Sequence, residues 1–313
     1  MPAFEQILAI DARSECAKIE RYIQELFKSK ASKCILIGLS GGIDSAVLAS
    51  LAVKAVGANK IYAYYLYDRD SSRASKAKAK LISEWLGIEL RYEDITAAMR
   101  KKKIYSPLIM RVLSFSAFLN SRLNRLLRRG DAFLFTLSRG NFTSSKIKRF
   151  LYNRTIGRIE AAFNARHIYR RQFLEEKSRQ ENWLILGAAN RSEFLTGWFV
   201  KGGIDDLPYS PIIGLYKTQV LELARYLELP REIQLQIPSP DMATVLTDDG
   251  TIVIKYGTLD IILHFIETGA PDEEIISRGI RREDLRLVRT MNNLSEWKGS
   301  PENTEPAEEK EKR

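Results

Sequence analysis

The sequence predicts an α/β fold in which a parallel, twisted sheet carries helices on both faces. Short apolar runs typical of buried parallel strands alternate along the chain with longer segments of helical spacing. The first apolar run, residues 34–38, passes through a glycine turn into a helical stretch. Ligands of parallel sheets bind beyond the carboxyl ends of the strands, so this turn lies at the predicted binding edge.

Each element follows from the spacing of its apolar residues. The N-terminal segment, residues 3–28, has apolar residues at helical intervals and predicts a helix. After the first strand we predict a helix over 46–56, a strand over 60–66, a helix over 70–85 and a strand over 88–92. Beyond residue 160 we predict a strand over 183–188 and helices over 218–227 and 256–266.

Composition limits the class of protein. The chain has 313 residues, of which 45% are hydrophobic, and no apolar run is long enough to span a bilayer. Residues 1–5 lack the basic and apolar regions of a signal peptide, and two cysteines cannot form a disulfide framework. We therefore expect a reduced, cytoplasmic protein with one domain over 1–300 and a disordered charged tail over 301–313.

A basic segment interrupts the strand and helix pattern at about residues 100–160. Residues 100–171 contain eighteen Lys and Arg but only two acidic residues, whereas the whole chain has a net charge of +10. Apolar positions between 108 and 127 lie on one face of a predicted helix. Such an insertion can bind an anionic partner or an acidic membrane surface, or it can form a helical lid or dimer element with a solvated charged face.

The turn after the first strand has the chemistry of a phosphate-binding loop. Ser40, Gly41 and Gly42 are followed by Asp44 and Ser45 at a helix start, where backbone amide groups can face an anion. The chain lacks the Gly-Lys-Ser/Thr ending of the common nucleoside-triphosphate loop and the Gly-x-Gly-x-x-Gly spacing of dinucleotide sites. A plain capping turn with two glycines is the structural alternative.

Ser-Gly-Gly-x-Asp-Ser resembles the pyrophosphate loop of the N-type ATP pyrophosphatases. Outside the basic segment, the chain also resembles ammonia-dependent NAD synthetase over about residues 5–99 and 160–300. The matching blocks are residues 186–193, 196–201, 211–217 and 238–242. The resemblance implies an adenine nucleotide alpha hydrolase-like fold, a homodimer, and a ligase that adenylates a carboxylate, releases pyrophosphate and lets ammonia displace AMP.

The resemblance also implies roles for individual residues. The predicted ATP-binding residues are Gly38, Leu39, Ser40, Gly41, Gly42, Ile43, Asp44, Ser45, Lys217 and Ser239. Asp44 and Lys217 are the predicted catalytic residues, and Asp44 and Glu193 the predicted ligands of Mg²⁺. The predicted acid-substrate residues are Asn164, Arg170, Lys201 and Lys298. Ammonia comes from solution or from a separate glutaminase subunit, because the chain has no room for a fused one.

The acid-substrate residues depart from the family pattern. Ile168 stands where the family has the first of two arginines, and Pro208 and Trp297 lie in changed blocks. An arginine lost opposite a phosphate or carboxylate is not a conservative change. The sequence therefore predicts either deamido-NAD or a different acid as the substrate. Two further alternatives are a tRNA-modifying ATP pyrophosphatase and a non-catalytic binding protein.

Overall fold

The computed structural model describes residues 7–105, 134, 136–138, 146, 149–150, 156–235 and 254–299. Four parallel strands form one sheet in the order β3-β2-β1-β4. The strands are β1 (Cys34–Gly38), β2 (Ile61–Tyr67), β3 (Glu89–Asp94) and β4 (Trp183–Leu186). The predicted α/β class with a parallel sheet is confirmed, and β1 lies between β2 and β4, to which it pairs in parallel.

Helices follow the strands as the alternating pattern predicts. Before the basic segment they are α1 (Ala12–Ser29), α2 (Ile43–Val56), α3 (Arg73–Leu86) and α4 (Thr96–Lys101). After it they are α5 (Ile156–Glu181), α6 (Arg191–Thr196), α7 (Lys217–Tyr226), α8 (Arg231–Gln234), α9 (Tyr256–Glu267), α10 (Asp272–Ser277) and α11 (Arg282–Ser295). Two 3₁₀ turns cover Ala58–Lys60 and Glu296–Lys298.

The sheet is covered on both faces. Along β1, the buried side chains of Ile35 and Ile37 pack with the residues of α1, α2 and α7, whereas Leu36 joins a separate cluster. That second cluster includes Leu174 of α5, so α5 covers the opposite face. Alternate residues of a strand point to opposite faces, which is why a continuous apolar run such as 34–38 requires helices on both sides.

A third apolar cluster lies beside this sandwich. It is formed mainly by α9, α10 and α11, and α6 packs against both α9 and α11. Because α9 also packs against α7, this C-terminal group of helices supports the segments that follow the carboxyl edge of the sheet. The same arrangement brings residues from the second half of the chain next to the glycine turn.

Helix starts differ from the predicted positions because caps decide them. Helix α1 begins at Ala12 because Asp11 accepts hydrogen bonds from the amides of Arg13 and Ser14, so the continuous helix predicted over 3–28 is interrupted at residues 8–11. Helix α2 begins at Ile43, three residues earlier than predicted, which places Asp44 in the first helical turn rather than at the cap. Helix α3 begins at Arg73, after Ser72.

Several predictions lie outside the described residues. They concern residues 1–6, most of the basic segment over 100–160, the block over 238–242 with Ser239, and the tail over 301–313. The predicted division into one domain, an insertion and a tail stays a prediction. Among the described helices, none has the length and apolarity needed to cross a bilayer.

Candidate active site

The glycine turn between β1 and α2 forms the floor of the candidate site. Gly41 has a φ of +85°, a conformation that side chains strongly disfavour. A Cβ atom there would overlap the carbonyl oxygen of Ser75 in α3 and lie 3.1 Å from the amide nitrogen of Ala79. Gly41 is therefore required both for the turn and for the close packing of the loop against α3.

The amino end of α2 is open to an anion. Gly42 is the capping residue of this helix, and no side chain hydrogen-bonds to its first amides from the cap position. By contrast, side chains cap α1 and α3, the helices that precede and follow α2. The hydroxyl groups of Ser40 and Ser45 bond to the backbone of the loop itself. The Ser40 Oγ accepts a hydrogen bond from the Gly42 amide, and the Ser45 Oγ donates one to the Gly42 carbonyl. The positive end of a 14-residue helix thus faces the carboxyl edge of the sheet.

Asp44 collects contacts from two distant segments. Its Oδ2 accepts a hydrogen bond from the Nζ of Lys217, the first residue of α7, whose side chain is only 3% exposed. Its Oδ1 accepts a hydrogen bond from the Asn190 side chain at 3.0 Å. The structure therefore brings together the two predicted catalytic residues, which are 173 positions apart in sequence.

Glu193 lies beside this pair on α6, where Asn190 is the capping residue and accepts a hydrogen bond from the Glu193 amide at 3.0 Å. Burial and, secondly, the negative charge of Asp44 raise the pKa of Glu193 to about 8, against the opposing effect of Lys217. Two carboxylates that repel each other at an anion-binding helix end fit the donor set of a Mg²⁺ ion. Magnesium in such sites uses one or two carboxylates and completes its shell with substrate phosphates and water.

We call the group formed by residues 38–45, Asn190, Glu193 and Lys217 the nucleotide side.

The predicted acid-substrate residues lie around Asp205 and Asp206, in the segment between α6 and α7. The Asp205 Oδ2 is 2.6 Å from the His167 Nδ1, and Lys201 pairs with Asp206 at 3.5 Å. Burial is the largest influence on the pKa of Asp205 and would raise it, but the neighbouring groups, His167 first and then Arg170, together outweigh burial and lower the pKa. The negative charge of Asp205 also raises the pKa of Glu193, so Asp205 lies within electrostatic range of the nucleotide side.

Lys298 is buried at the end of the described chain. Its ammonium donates to the carbonyl oxygens of Gly197, at 2.5 Å, and Phe199. Burial lowers the pKa of Lys298 to about 8, although Glu160 and the two aspartates act in the opposite direction. Burial raises the pKa of Glu160, which hydrogen-bonds to the Asn164 side chain. We call the group of Asn164, Arg166, His167, Arg170, Lys201, Asp205, Asp206 and Lys298 the acid side.

Arg166 lies two residues before Ile168, the position where the family has an arginine, and its guanidinium already binds two carboxylates. Arg166 donates to Asp68 at 2.6 Å and to Asp70 at 2.7 Å, and both aspartates follow the carboxyl end of β2. Burial is the largest influence on the pKa of Asp68 and would raise it, but the charge and hydrogen bond of Arg166, with smaller contributions from Arg170 and Tyr105, together lower it. Arg166 therefore does not replace the arginine missing at Ile168, since two carboxylates occupy its guanidinium.

Sequence reasoning placed the main residues of the nucleotide side but missed several partners. Asn190 was part of a matching block, and its spacing to Glu193 is that of a capping residue followed three positions later by an acid, which is a recognisable signal. Nothing local indicates the pairing of His167 with Asp205 or of Arg166 with Asp68, because each joins distant segments. Ser239 lies outside the described residues.

The parallel sheet, the open helix end after β1 and the adjacent carboxylates define the class of the protein. It is a protein of the α/β type with a candidate ligand site at the carboxyl edge of its sheet, and the glycine turn of this site lacks a Walker lysine. The family model described as NAD synthase matches residues 15–107 and 147–302. The chain belongs to the NAD synthase family and is a ligase that forms a carbon–nitrogen bond.

Individual relatives agree with this assignment. The chain is 34% identical to the NH(3)-dependent NAD(+) synthetase of Thermotoga neapolitana over 281 residues, covering 88% of this chain and 89% of the relative. It is 33% identical to the enzyme of that name from Thermotoga maritima, covering 79% of this chain and 84% of the relative.

Solved structures show the same fold. The NMN synthetase from Francisella tularensis superposes with a TM-score of 0.66 at 23% identity, covering 93% of this chain and 97% of that one. The NH3-dependent NAD synthetase from Campylobacter jejuni gives a TM-score of 0.61 at 22% identity, with the same two shares covered.

Proposed function

We propose that this chain uses ATP to adenylate a carboxylate and then converts the adenylate into an amide with ammonia, and that deamido-NAD is the first acid to test. The observation that carries the proposal is the Asp44–Lys217 pair beside the open amino end of α2. A pyrophosphate group carries dense negative charge, and this place offers a buried cation together with fixed amide groups. Family membership supports the same reaction.

The residues of the nucleotide side have separate roles in this reaction. The amides of Gly41 and of the first turn of α2 hold the β- and γ-phosphates, which leave as pyrophosphate. Lys217 neutralises charge on the phosphoryl oxygens as the carboxylate attacks the α-phosphorus. Asp44 and Glu193 would hold a Mg²⁺ ion, which would supply further neutralisation of the phosphate charge. Asn190 keeps Asp44 in place through its hydrogen bond to Oδ1.

On the acid side, we propose that Arg170, Lys201, Lys298 and Asn164 hold the carboxylate substrate. Their position supports this, since Arg170 and Lys298 both act electrostatically on Asp205, which in turn acts on Glu193. An acid bound here has its reacting group next to the phosphate loop. Ammonia is supplied from solution or by a separate glutaminase subunit.

The test of this function is product analysis with ATP, Mg²⁺, ammonium and deamido-NAD. We expect AMP, pyrophosphate and the amide in equal amounts, and no AMP when the acid is omitted. Production of ADP and phosphate would contradict the proposal. Asp44→Asn is the matched control for contaminating activity, because it removes one carboxylate from the nucleotide side.

A second candidate is the same reaction on a different carboxylate. It is favoured by one observation, the engagement of Arg166 by Asp68 and Asp70 beside the arginine position that Ile168 occupies. A panel of nicotinate, its mononucleotide and deamido-NAD separates the two candidates, since the preferred acid has the highest kcat/KM. An equal rate on all three would contradict recognition by the acid side.

We also propose that the enzyme is a homodimer, as the family resemblance implies and as closed two-fold symmetry commonly provides. Light scattering at micromolar concentration gives the mass directly. A mass near the 35.8 kDa of one chain would reject the dimer.

A further inference from the structure

One buried carboxylate behind the nucleotide side has no part in the reaction described above. Asp260 on α9 is fully buried, yet both of its oxygens accept hydrogen bonds. The Ser192 Oγ donates to Oδ1 at 2.6 Å, and the Thr218 amide donates to Oδ2 at 2.8 Å. Burying a carboxylate is costly, so such a group persists only where its partners satisfy it fully.

The two partners of Asp260 are sequence neighbours of site residues. Ser192 precedes Glu193, the second carboxylate of the nucleotide side, and Thr218 follows Lys217. The Ser192 Oγ also accepts a hydrogen bond from the Lys217 amide at 2.8 Å. Asp260 thus joins the start of α6 to the start of α7. It binds the Thr218 amide directly, and it is connected to the Lys217 amide through the hydroxyl of Ser192.

Resting on the proposed function, we propose that Asp260 is a positioning residue that sets the spacing of Lys217 and Glu193 around Asp44 for the binding of ATP with Mg²⁺. Asp260 does not touch the nucleotide. It acts because Lys217 and Glu193 are carried by different helices, and Asp260 with Ser192 is a buried hydrogen-bonded link between the amino ends of those helices, in addition to the bond from the Arg191 amide to the Leu215 carbonyl. A displacement of about 1 Å at a phosphate-binding group costs on the order of 100-fold in rate.

The hydrogen-bond pattern also predicts which substitution disturbs the link. An asparagine at position 260 has one acceptor oxygen and one donor nitrogen, whereas Ser192 and the Thr218 amide both donate. Asp260→Asn therefore breaks one of the two contacts while it keeps the shape of the side chain. Ser192→Ala removes the contact to the Lys217 amide but leaves the Thr218 amide bonded to Asp260.

The experiment compares Asp260→Asn, Ser192→Ala and the double variant with the wild-type protein. Binding of ATP in the presence of Mg²⁺ is measured by titration calorimetry, and pyrophosphate release and thermal unfolding are measured in parallel. We expect each single variant to bind ATP 10- to 100-fold more weakly, the range typical when an outer partner of a metal site is removed. We expect the double variant to lose little more than the weaker-binding single variant, because both act through one link.

Asp284→Asn is the matched control. Asp284 is a nearly buried carboxylate of α11, which packs against α9, and it accepts two hydrogen bonds from Arg281 at 2.7 Å. We expect this variant to bind ATP as the wild-type protein does, even where its thermal unfolding shifts by a similar amount. Equal weakening in Asp284→Asn would show a general effect of destabilising the C-terminal helices and would overturn the positioning role.

The outcomes separate this inference from the proposed function. Wild-type protein that does not bind ATP with Mg²⁺ overturns the proposed function and the inference together. Wild-type binding with an unchanged affinity in Asp260→Asn, or with losses that multiply in the double variant, overturns the positioning role alone. If Asp260→Asn does not fold, Ser192→Ala decides by the same criterion, and an affinity within twofold of the wild type rejects the role.

Discussion

The nucleotide side and the acid side are both rich in charge, but their charges are arranged differently. On the nucleotide side the cation Lys217 lies between the influence of two carboxylates, Asp44 and Glu193, beside an uncapped helix end. On the acid side Arg166 has two carboxylate partners, and Lys201 is paired with Asp206. Both sides therefore contain ion pairs, but the pair of the nucleotide side lies beside a second carboxylate and an uncapped helix end, whereas on the acid side two carboxylates bind the guanidinium of Arg166.

The comparison teaches that a charged residue is not by itself a binding residue. A guanidinium bonded to two aspartates offers little of its charge to an incoming phosphate unless those bonds break. The acid side therefore favours substrates that do not need the charge of Arg166. The predictions below test that difference, from the largest expected effect to the smallest.

The sharpest test breaks one buried ion pair on each side. In Asp44→Asn the nearly buried Lys217 loses its carboxylate, and in Asp68→Asn the buried Arg166 loses one of two. Removing one partner of such a pair costs about 3–5 kcal/mol of unfolding free energy, so urea unfolding should show a clear loss for Asp44→Asn and a smaller loss for Asp68→Asn. Of these two variants, we expect turnover to fall by at least about 100-fold only in Asp44→Asn, because that change also removes a proposed ligand of Mg²⁺.

Glu193→Gln accompanies this test as the conservative change of the second carboxylate, and its turnover should also fall. Near-native activity of either nucleotide-side variant at low Mg²⁺ would contradict the metal assignment. A comparable loss of turnover in Asp68→Asn at saturating acid would remove the distinction between the two sides.

The second prediction concerns the substrate. We expect deamido-NAD to react with a kcat/KM below about 10⁴ M⁻¹s⁻¹, the lower end of the usual range for enzymes. The reason is the joint change at Ile168, Pro208 and Trp297, since each charge-assisted hydrogen bond that is lost costs ~1.5–3 kcal/mol. Steady-state kinetics with ammonium and ATP measures the value. A kcat/KM in the ordinary range would leave deamido-NAD as the substrate.

The third prediction compares two adjacent glycines of the phosphate loop. Gly41→Ala places a Cβ against the backbone of α3 at a φ of +85°, so we expect a loss of more than about 1 kcal/mol in unfolding free energy and weaker ATP binding. Gly42→Ala meets only the Ser40 Oγ, at 3.2 Å, and Gly42 has an ordinary φ of −83°. Chemical denaturation and ATP titration of both variants provide the check, and equal effects would contradict the assigned geometry.

The last prediction is a pH dependence caused by Lys298. Its pKa is lowered from 10.5 to about 8 by burial, so between pH 8 and pH 10.5 the unfolded chain binds a proton that the folded chain does not. The contribution of Lys298 to the free energy of unfolding therefore rises with pH across this window, by up to about 3 kcal/mol. Below pH 8 both states are protonated and the contribution is constant.

Urea unfolding of the wild-type protein and Lys298→Met at several pH values from 7 to 10 measures this effect. We expect the difference between the two proteins to move in favour of the wild type as the pH rises. Parallel profiles over the whole window would show that the ammonium carries no burial penalty.

Local sequence was sufficient for the sheet and for the phosphate loop. The run 34–38 predicted a buried strand, because it is short, apolar and followed by a glycine turn, and the observed β1 has these bounds. The glycines of the turn and the helix that follows are likewise local features. Boundaries set by caps were less predictable, since Asp11 and Ser72 decide where α1 and α3 begin.

What only the tertiary structure decided is which charges meet. The sequence determined that Asp44, Glu193 and Lys217 are present in matching blocks, but not that Asn190 bonds to Asp44 or that Asp260 links the starts of α6 and α7. On the acid side the sequence determined that Arg166 is present. The fold determined that its guanidinium donates hydrogen bonds to Asp68 and Asp70. The physical reason is that an ion pair or hydrogen bond depends on distances of about 3 Å between segments up to 173 residues apart, and only the packed chain fixes such distances.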